Sequence, residues 1–226
     1  MTDVMDSAAV AVEPRKRKIM SFDQATVKSG FAVFEGDALV QYGLIDLGSR
    51  FYKDMTTDER TRLMGVKLCD MIKETQPDVV VLEDVFLTRN IKAVIVQAEL
   101  IGIVMGYCDL NNLPIVILKP SQWRKVCGLK QGRIKRLELK EEAIDFVKSS
   151  FNIDCKTDEA DAICIGFSVF YEELLRQQEA QKQAQQPKAE QLVMEQAAEP
   201  QKKRGRRTKR QVTEANTAEV NTDANI

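Results

Sequence analysis

The order of strand and helix signals predicts an α/β domain, a mixed five-stranded sheet with helices on both faces. Three observations carry this. Two short strand-like stretches flank Glu35-Gly36-Asp37, a good hairpin turn. Val79-Val80-Val81-Leu82 is a continuous apolar run, as expected of a central strand buried on both faces. Helical patterns then alternate with the remaining strands, so those strands need crossover connections.

Taken in order, residues 1–17 are expected to be disordered. Ile19 to Phe22 reads as a short buried strand with Asp23 at its end. Gly30 to Phe34 and Leu39 to Leu47 read as antiparallel strands on either side of the turn. Thr56-x-x-Glu59 matches a capping box, so a helix starts there. Its apolar face is Met64, Leu68, Met71 and Ile72, and Pro77 lies beyond its end. The apolar fourth strand leads directly into Glu83.

A helix over about 92–110 follows, with Gly102 and Gly106 at a spacing that suits close helix packing, including packing across a dimer. Pro114 to Leu118 is the fifth strand. Basic helical segments come next, then a helix opened by Asp158 and running to about Arg176. Residues 177–201, rich in Gln, Ala and Glu, read as a linker of partial helicity, and 202–226 as a basic, disordered tail.

The 226 residues, 44% hydrophobic and 30% charged, suffice for one globular domain with a real core. There is no histidine, which excludes His-based triads, HExxH zinc sites and histidine general bases. Hard cations on oxygen ligands remain open. The five cysteines form no CxxC pair, which predicts a reduced, cytoplasmic protein. No signal-peptide pattern opens the chain, and no apolar run is expected to reach the length of a membrane span, so no membrane partner is expected.

The formal net charge of −1 is unevenly spread. Between Lys119 and Lys140 there are eight Lys or Arg residues and one acid, Glu138. Lys202 to Arg210 is almost purely basic. Two such blocks in a nearly neutral chain point to a polyanionic partner; the plainer alternative is a solvated charged face with a disordered tail.

Asp158 and Asp161, three residues apart, share one face of their helix. The apolar residues after them pack into a core, and two carboxylates against a core repel unless a cation lies between them. With Asp23 and Glu83 at strand ends, they suggest a divalent-metal site. Taken singly, each has a plainer explanation. Asp23 and Glu83 could be turn residues, Asp158 an N-cap, and Asp161 an acid favoured by the helix dipole.

Phe22-Asp23-Gln24-Ala25-Thr26 followed by Gly30-Phe31-Ala32-Val33 resembles the first motif of RuvC-type Holliday junction resolvases. Leu82-Glu83-Asp84-Val85-Phe86 is similar to their second motif, and Asp158-Glu159-Ala160-Asp161-Ala162 to their last. The resemblance covers about 18–176, in the family's order and spacing. It implies an RNase H-like fold and a homodimer that nicks two opposing strands of a four-way DNA junction. Asp23, Glu83, Asp158 and Asp161 would be catalytic metal ligands for Mg2+, with Mn2+ able to substitute and two ions per site. In such chemistry one ion activates the attacking water and the other stabilises the leaving 3′-oxygen. Two features depart from the family pattern: Ala25 stands where a glycine is usual, and Glu159 is an extra acid that a regular helix turns away from the pair.

The resemblance also implies DNA contacts. Phe86 would stack on a base near the junction crossover, with Arg89 on the same loop touching phosphate. Arg124 and Lys140 align with family lysines near the scissile phosphate, and Lys130, Arg133 and Lys135 lie in the basic segment between them. Trp123 is read as a core residue. Arg204-Gly205-Arg206 resembles a minor-groove hook, but its tail is expected to bind phosphate without sequence selectivity.

Alternatives are a broader nuclease of flaps, forks and replication branches, a catalytically silent DNA-binding module, and an actin-like ATPase. The last would need a second, glycine-rich phosphate loop that the sequence lacks. A short core with a long charged tail suits a phage or other mobile element acting in a host cell.

Overall fold

The computed structural model describes residues 15–85, 89–132 and 134–197. Strands β1 (Lys18–Asp23), β2 (Lys28–Glu35) and β3 (Ala38–Asp46) come first, then helix α1 (Thr57–Thr75). Strand β4 (Val79–Glu83), helix α2 (Ile91–Leu110) and strand β5 (Ile115–Leu118) follow. Helices α3 (Pro120–Val126), α4 (Arg136–Phe151) and α5 (Thr157–Ala197) end the series. The sheet order is β3-β2-β1-β4-β5. β1, β2 and β3 are antiparallel neighbours, while β4 lies parallel to β1 and β5 parallel to β4. Gly36, at φ +60, makes the turn between β2 and β3.

Alternation along the central strands builds two cores. Ile19, Ala32, Phe34, Val79 and Val81 pack on one face with residues of α3, α4 and α5. Met20, Phe22, Phe31, Val33, Val80 and Leu82 pack on the other with residues of α1 and α2. The run Val79 to Leu82 is buried throughout because both faces are covered. Burying an apolar side chain of this size contributes about 1.5–3 kcal/mol, so the buried runs of β1, β2 and β4 anchor the frame.

Helix α1 starts at the predicted capping box. The Glu59 backbone N–H donates to Thr56 Oγ1 at 3.2 Å, and the Thr56 N–H donates to the Glu59 carboxylate at 2.8 Å. Met64, Leu68 and Ile72 are its buried stripe. Gly65 lets α2 come close, since a Cβ there would lie 2.8 Å from Ile103 Cγ2. Close packing of α1 on α2 therefore uses a glycine of α1. Gly102 and Gly106 of α2 face open space among the described residues.

One sequence expectation is corrected at α2. Its twenty residues have a mean hydropathy of 1.6, long and apolar enough to cross a membrane by length and composition. Lys92, Glu99 and Asp109 mask the run on inspection. Leu100, Ile101, Val104 and Cys108 fill the core, whereas Ile91, Ile95, Met105 and Leu110 are exposed.

Helix α5 packs its first turns tightly on the sheet. Ser21 Oγ donates to the Ala162 carbonyl at 2.7 Å, and Gly166 sits against Ser21 and Phe34. A compact unit ends at Ala180, and the helical backbone of α5 runs on to Ala197 rather than stopping near Arg176. Gln, Ala, Glu and Lys are all good helix formers, so these added turns do not require a core-facing stripe.

Candidate active site

The sheet brings the first two acids together by parity. Ile19, Ser21 and Asp23 alternate onto one face of β1, and Val79, Val81 and Glu83 onto the same face of β4. Phe22 pairs with Leu82, so Asp23 and Glu83 leave neighbouring parallel strands at the same level. Gln24, 4% exposed, locks that level. Its side-chain N–H donates to the Glu83 carbonyl at 2.6 Å, and the Glu83 N–H donates to Gln24 Oε1 at 3.2 Å.

The helix pair arrives through a glycine. Gly30 lies opposite Asp23 in the β1–β2 pairing. A Cβ at Gly30 would collide with the Asp158 backbone carbonyl, so only glycine lets the start of α5 settle beside Asp23. The turn between the strands, where Ala25 stands, is closed by Ser29. Its Oγ accepts from the Ala25 N–H at 3.0 Å and donates to the Ala25 carbonyl at 2.7 Å.

Cations and donors surround the acids. Lys140 Nζ donates to Asp158 Oδ1 and to Thr157 Oγ1, both at 3.2 Å. Arg124 Nη2 lies 3.7 Å from Asp161 Oδ1 and donates to the Leu139 carbonyl at 3.1 Å. Its guanidinium sits 4.6 Å from the Trp123 ring centre, and Trp123 Nε1–H donates to Glu83 Oε1 at 2.8 Å. Glu159 turns away, accepting from the Lys156 N–H at 2.7 Å.

Burial, followed by the charges of Asp161, Glu83 and Asp158, holds the Asp23 carboxyl well above the usual carboxylate range; Lys140 opposes them. Burial also pushes Glu83 up to about 7, against the Trp123 hydrogen bond and the Arg124 charge. Two buried carboxyls raised in this way favour a proton or a cation. An all-oxygen, multiply charged donor set fits a hard divalent cation such as Mg2+ or Mn2+. The side chains do not already converge on one point, and among the described residues no three acidic, Cys or His side chains form a ready-made metal-ligand group. Asp158 and Asp161 lean on Lys140 and Arg124, and Glu83 on Trp123.

The basic residues divide into two groups. Arg124, 8% exposed, stands behind the carboxylates rather than on an outer surface: Nη2 faces Asp161 and the Leu139 carbonyl, while Nη1 is buried with no hydrogen-bond partner among the described residues. Lys140 is half-buried against Asp158. Arg89, Lys130 and Lys135 are exposed, and Lys130 pairs with Glu142 at 2.8 Å. Phe86 and Arg133 lie outside the described residues. Two site residues had no assigned part in the sequence reading. Gln24 is a buried amide next to Asp23. Trp123 is buried as expected, but its N–H meets a site carboxylate. The available signal was a lone tryptophan beside an arginine in a basic segment.

The family profile described as Crossover junction endodeoxyribonuclease RuvC matches residues 19–167. The RuvC protein of Caldicellulosiruptor saccharolyticus is 27% identical over 169 residues, 69% of this chain and 98% of that protein. That of Thermomicrobium roseum is 24% identical over 127 residues, 55% of this chain and 75% of that protein. Among solved structures, Thermus thermophilus RuvC in complex with Holliday junction substrate superposes with a TM-score of 0.55 at 16% identity. The match covers 70% of this chain and 96% of that one, and it supports the shared fold. The profile takes in β1 through the start of α5, and with it Asp23, Glu83, Asp158 and Asp161; the chain belongs to the crossover junction endodeoxyribonuclease RuvC family.

Proposed function

We propose that this protein is a metal-dependent endonuclease that resolves four-way DNA junctions by paired nicking of opposing strands. The observation that carries the reading is the meeting of Asp23 and Glu83, level on adjacent parallel strands, with the acid pair of α5. Asp23, Glu83, Asp158 and Asp161 would hold two Mg2+ ions, which when bound activate water and neutralise charge at the scissile phosphate.

The chain's own residues do the positioning. Gln24 keeps the two strand ends in register, and Gly30 lets α5 bring Asp158 to Asp23. Lys140, beside Asp158, would supply positive charge where a phosphate enters, while Arg124, behind the carboxylates, balances the charge of Asp161. Arg89, Lys130 and Lys135 are exposed and would steady the DNA backbone, with Arg133 and Phe86 as further contacts. Two opposing nicks need two sites, and the exposed apolar face of α2 with its two glycines suits a second copy of the chain. Such a homodimer would work on DNA in the cytoplasm, a phage-encoded protein in its host included.

The test is cleavage by purified protein with Mg2+ of a four-way junction, a flap, a fork and a linear duplex, beside Asp23→Asn and Asp161→Asn. Paired symmetric nicks in the junction, lost in both variants, are expected. Variants that cleave as well as the parent would remove the metal-site assignment. A preference for the flap or fork would replace junction resolution by branch cleavage.

A further inference from the structure

Tryptophan is a costly choice for plain packing, because its indole N–H must find an acceptor when buried. Trp123 is 2% exposed, and its acceptor is the carboxylate of Glu83, forty positions away in the chain. Its neighbour Arg124 turns to Asp161. Two consecutive residues of α3 thus reach two acids from two different elements, one on β4 and one on α5.

The short helix is itself held on several sides. Pro120 sits in its first turn, and the Lys119 N–H donates to Gln122 Oε1 at 2.8 Å. Arg124 donates to the Leu139 carbonyl of α4, and Cys127 Sγ to the Cys164 carbonyl of α5 at 3.5 Å. The Arg124 guanidinium also lies over the Trp123 ring, so the two side chains restrain each other. A brace fixed to α4 and α5 has little freedom to follow Glu83 if that carboxylate rotates.

We infer that Trp123 is a positioning residue for the metal site: by holding Glu83 Oε1 it fixes the orientation in which the Glu83 carboxylate would meet a cation. The inference rests on the proposed metal-dependent nuclease site and deepens it. A ligating carboxylate on a flexible side chain costs less to organise when one oxygen is already held. Loss of a hydrogen-bonding partner behind a metal ligand lowers metal affinity or activity by about 10–100-fold. Arg124 restrains Asp161 in parallel, but by charge rather than by a directed single donor.

Trp123 is the one tryptophan in the chain, so its fluorescence reports on Glu83 without any label. The experiment titrates Mg2+ into the full-length protein, follows tryptophan emission, and compares Glu83→Gln. Cleavage is then measured against Mg2+ concentration for the parent and Trp123→Phe, with junction affinity measured without metal. Emission should change over the Mg2+ range that supports cleavage, and Glu83→Gln should abolish the change. Trp123→Phe should need about 10–100-fold more Mg2+ while binding the junction normally.

An unchanged Mg2+ requirement in Trp123→Phe overturns the inference, as does an emission that ignores Mg2+ or responds equally in Glu83→Gln. If Trp123→Phe fails to fold, an emission that ignores Mg2+ still overturns the inference. A Glu83→Gln protein that cleaves normally would instead overturn the site assignment itself. An inactive Glu83→Gln beside a Trp123→Phe protein with parental Mg2+ dependence would remove only the role of Trp123.

Discussion

At the scale of single residues, the site is a set of charges that the fold holds at a cost. Glu83 is raised from 4.5 to about 7, chiefly by burial, and Asp23 is raised well above its usual range by burial and then by its acidic neighbours. The sign of the consequence follows from proton linkage. Between those values the folded state holds a proton that the unfolded state has released. Metal-free protein should therefore be most stable below about pH 4.5 with respect to Glu83, losing that contribution as pH rises to about 7. Urea unfolding in chelator at about pH 5 and about pH 8 measures this, and Glu83→Gln should flatten the difference. Asp23→Asn should raise the melting temperature in chelator while removing cleavage, because it deletes repulsion together with a proposed metal ligand. A lower melting temperature for Asp23→Asn would mean that Asp23 is not under electrostatic strain. At limiting Mg2+, cleavage should rise as pH climbs toward about 7, because the proposed cation would have to displace the Glu83 proton.

Elements decide which of these residues meet, and here sequence and structure can be compared. The strand ends were legible because period-two alternation and an apolar run place Asp23 and Glu83 without any distant contact. The capping box at Thr56 was legible for the same reason, since both its partners lie within one turn. Thr56→Ala should cost about 1 kcal/mol in urea unfolding and leave cleavage per folded molecule unchanged. Gly30 was visible as part of a motif, but its task was not: the carbonyl it admits belongs to Asp158, on another element. Gly30→Ala should destabilise by at least the roughly 1–3 kcal/mol of an overpacked core and abolish cleavage, because backbone cannot swing aside as a side chain can. Full activity in Gly30→Ala would show that the start of α5 can move without harm. The partners of Arg124 and Trp123 were hidden for a similar reason, although the core placement of Trp123 was legible. In sequence they are a basic residue and an aromatic in a charged segment. Only the packing of α3 against β4 and α5 buries the guanidinium and aims the indole at a carboxylate.

The whole molecule adds a constraint that no element carries alone, because one site makes one nick and resolving a junction takes two. The face of α2 that turns away from its own core bears Ile91, 69% exposed, Ile95, 50%, and Leu110, 87%, beside open space over Gly102 and Gly106. The apolarity that gives this helix membrane-like composition is thus divided between a buried stripe and an outward one, and a second copy would cover the latter. Ile95→Glu tests the point at an exposed position, where the substitution leaves the monomer fold within about 0.5 kcal/mol. Sedimentation should find the parent dimeric and Ile95→Glu largely monomeric. On a supercoiled plasmid carrying a cruciform, two nicks made within one complex give linear DNA, whereas uncoordinated single nicks relax the cruciform and leave open circles. The parent should yield linear product and Ile95→Glu open circles, each made by an intact set of Asp23, Glu83, Asp158 and Asp161. A dimeric Ile95→Glu protein that still linearises the plasmid would place the interface elsewhere. A monomeric one that linearises it would separate paired nicking from dimerisation altogether.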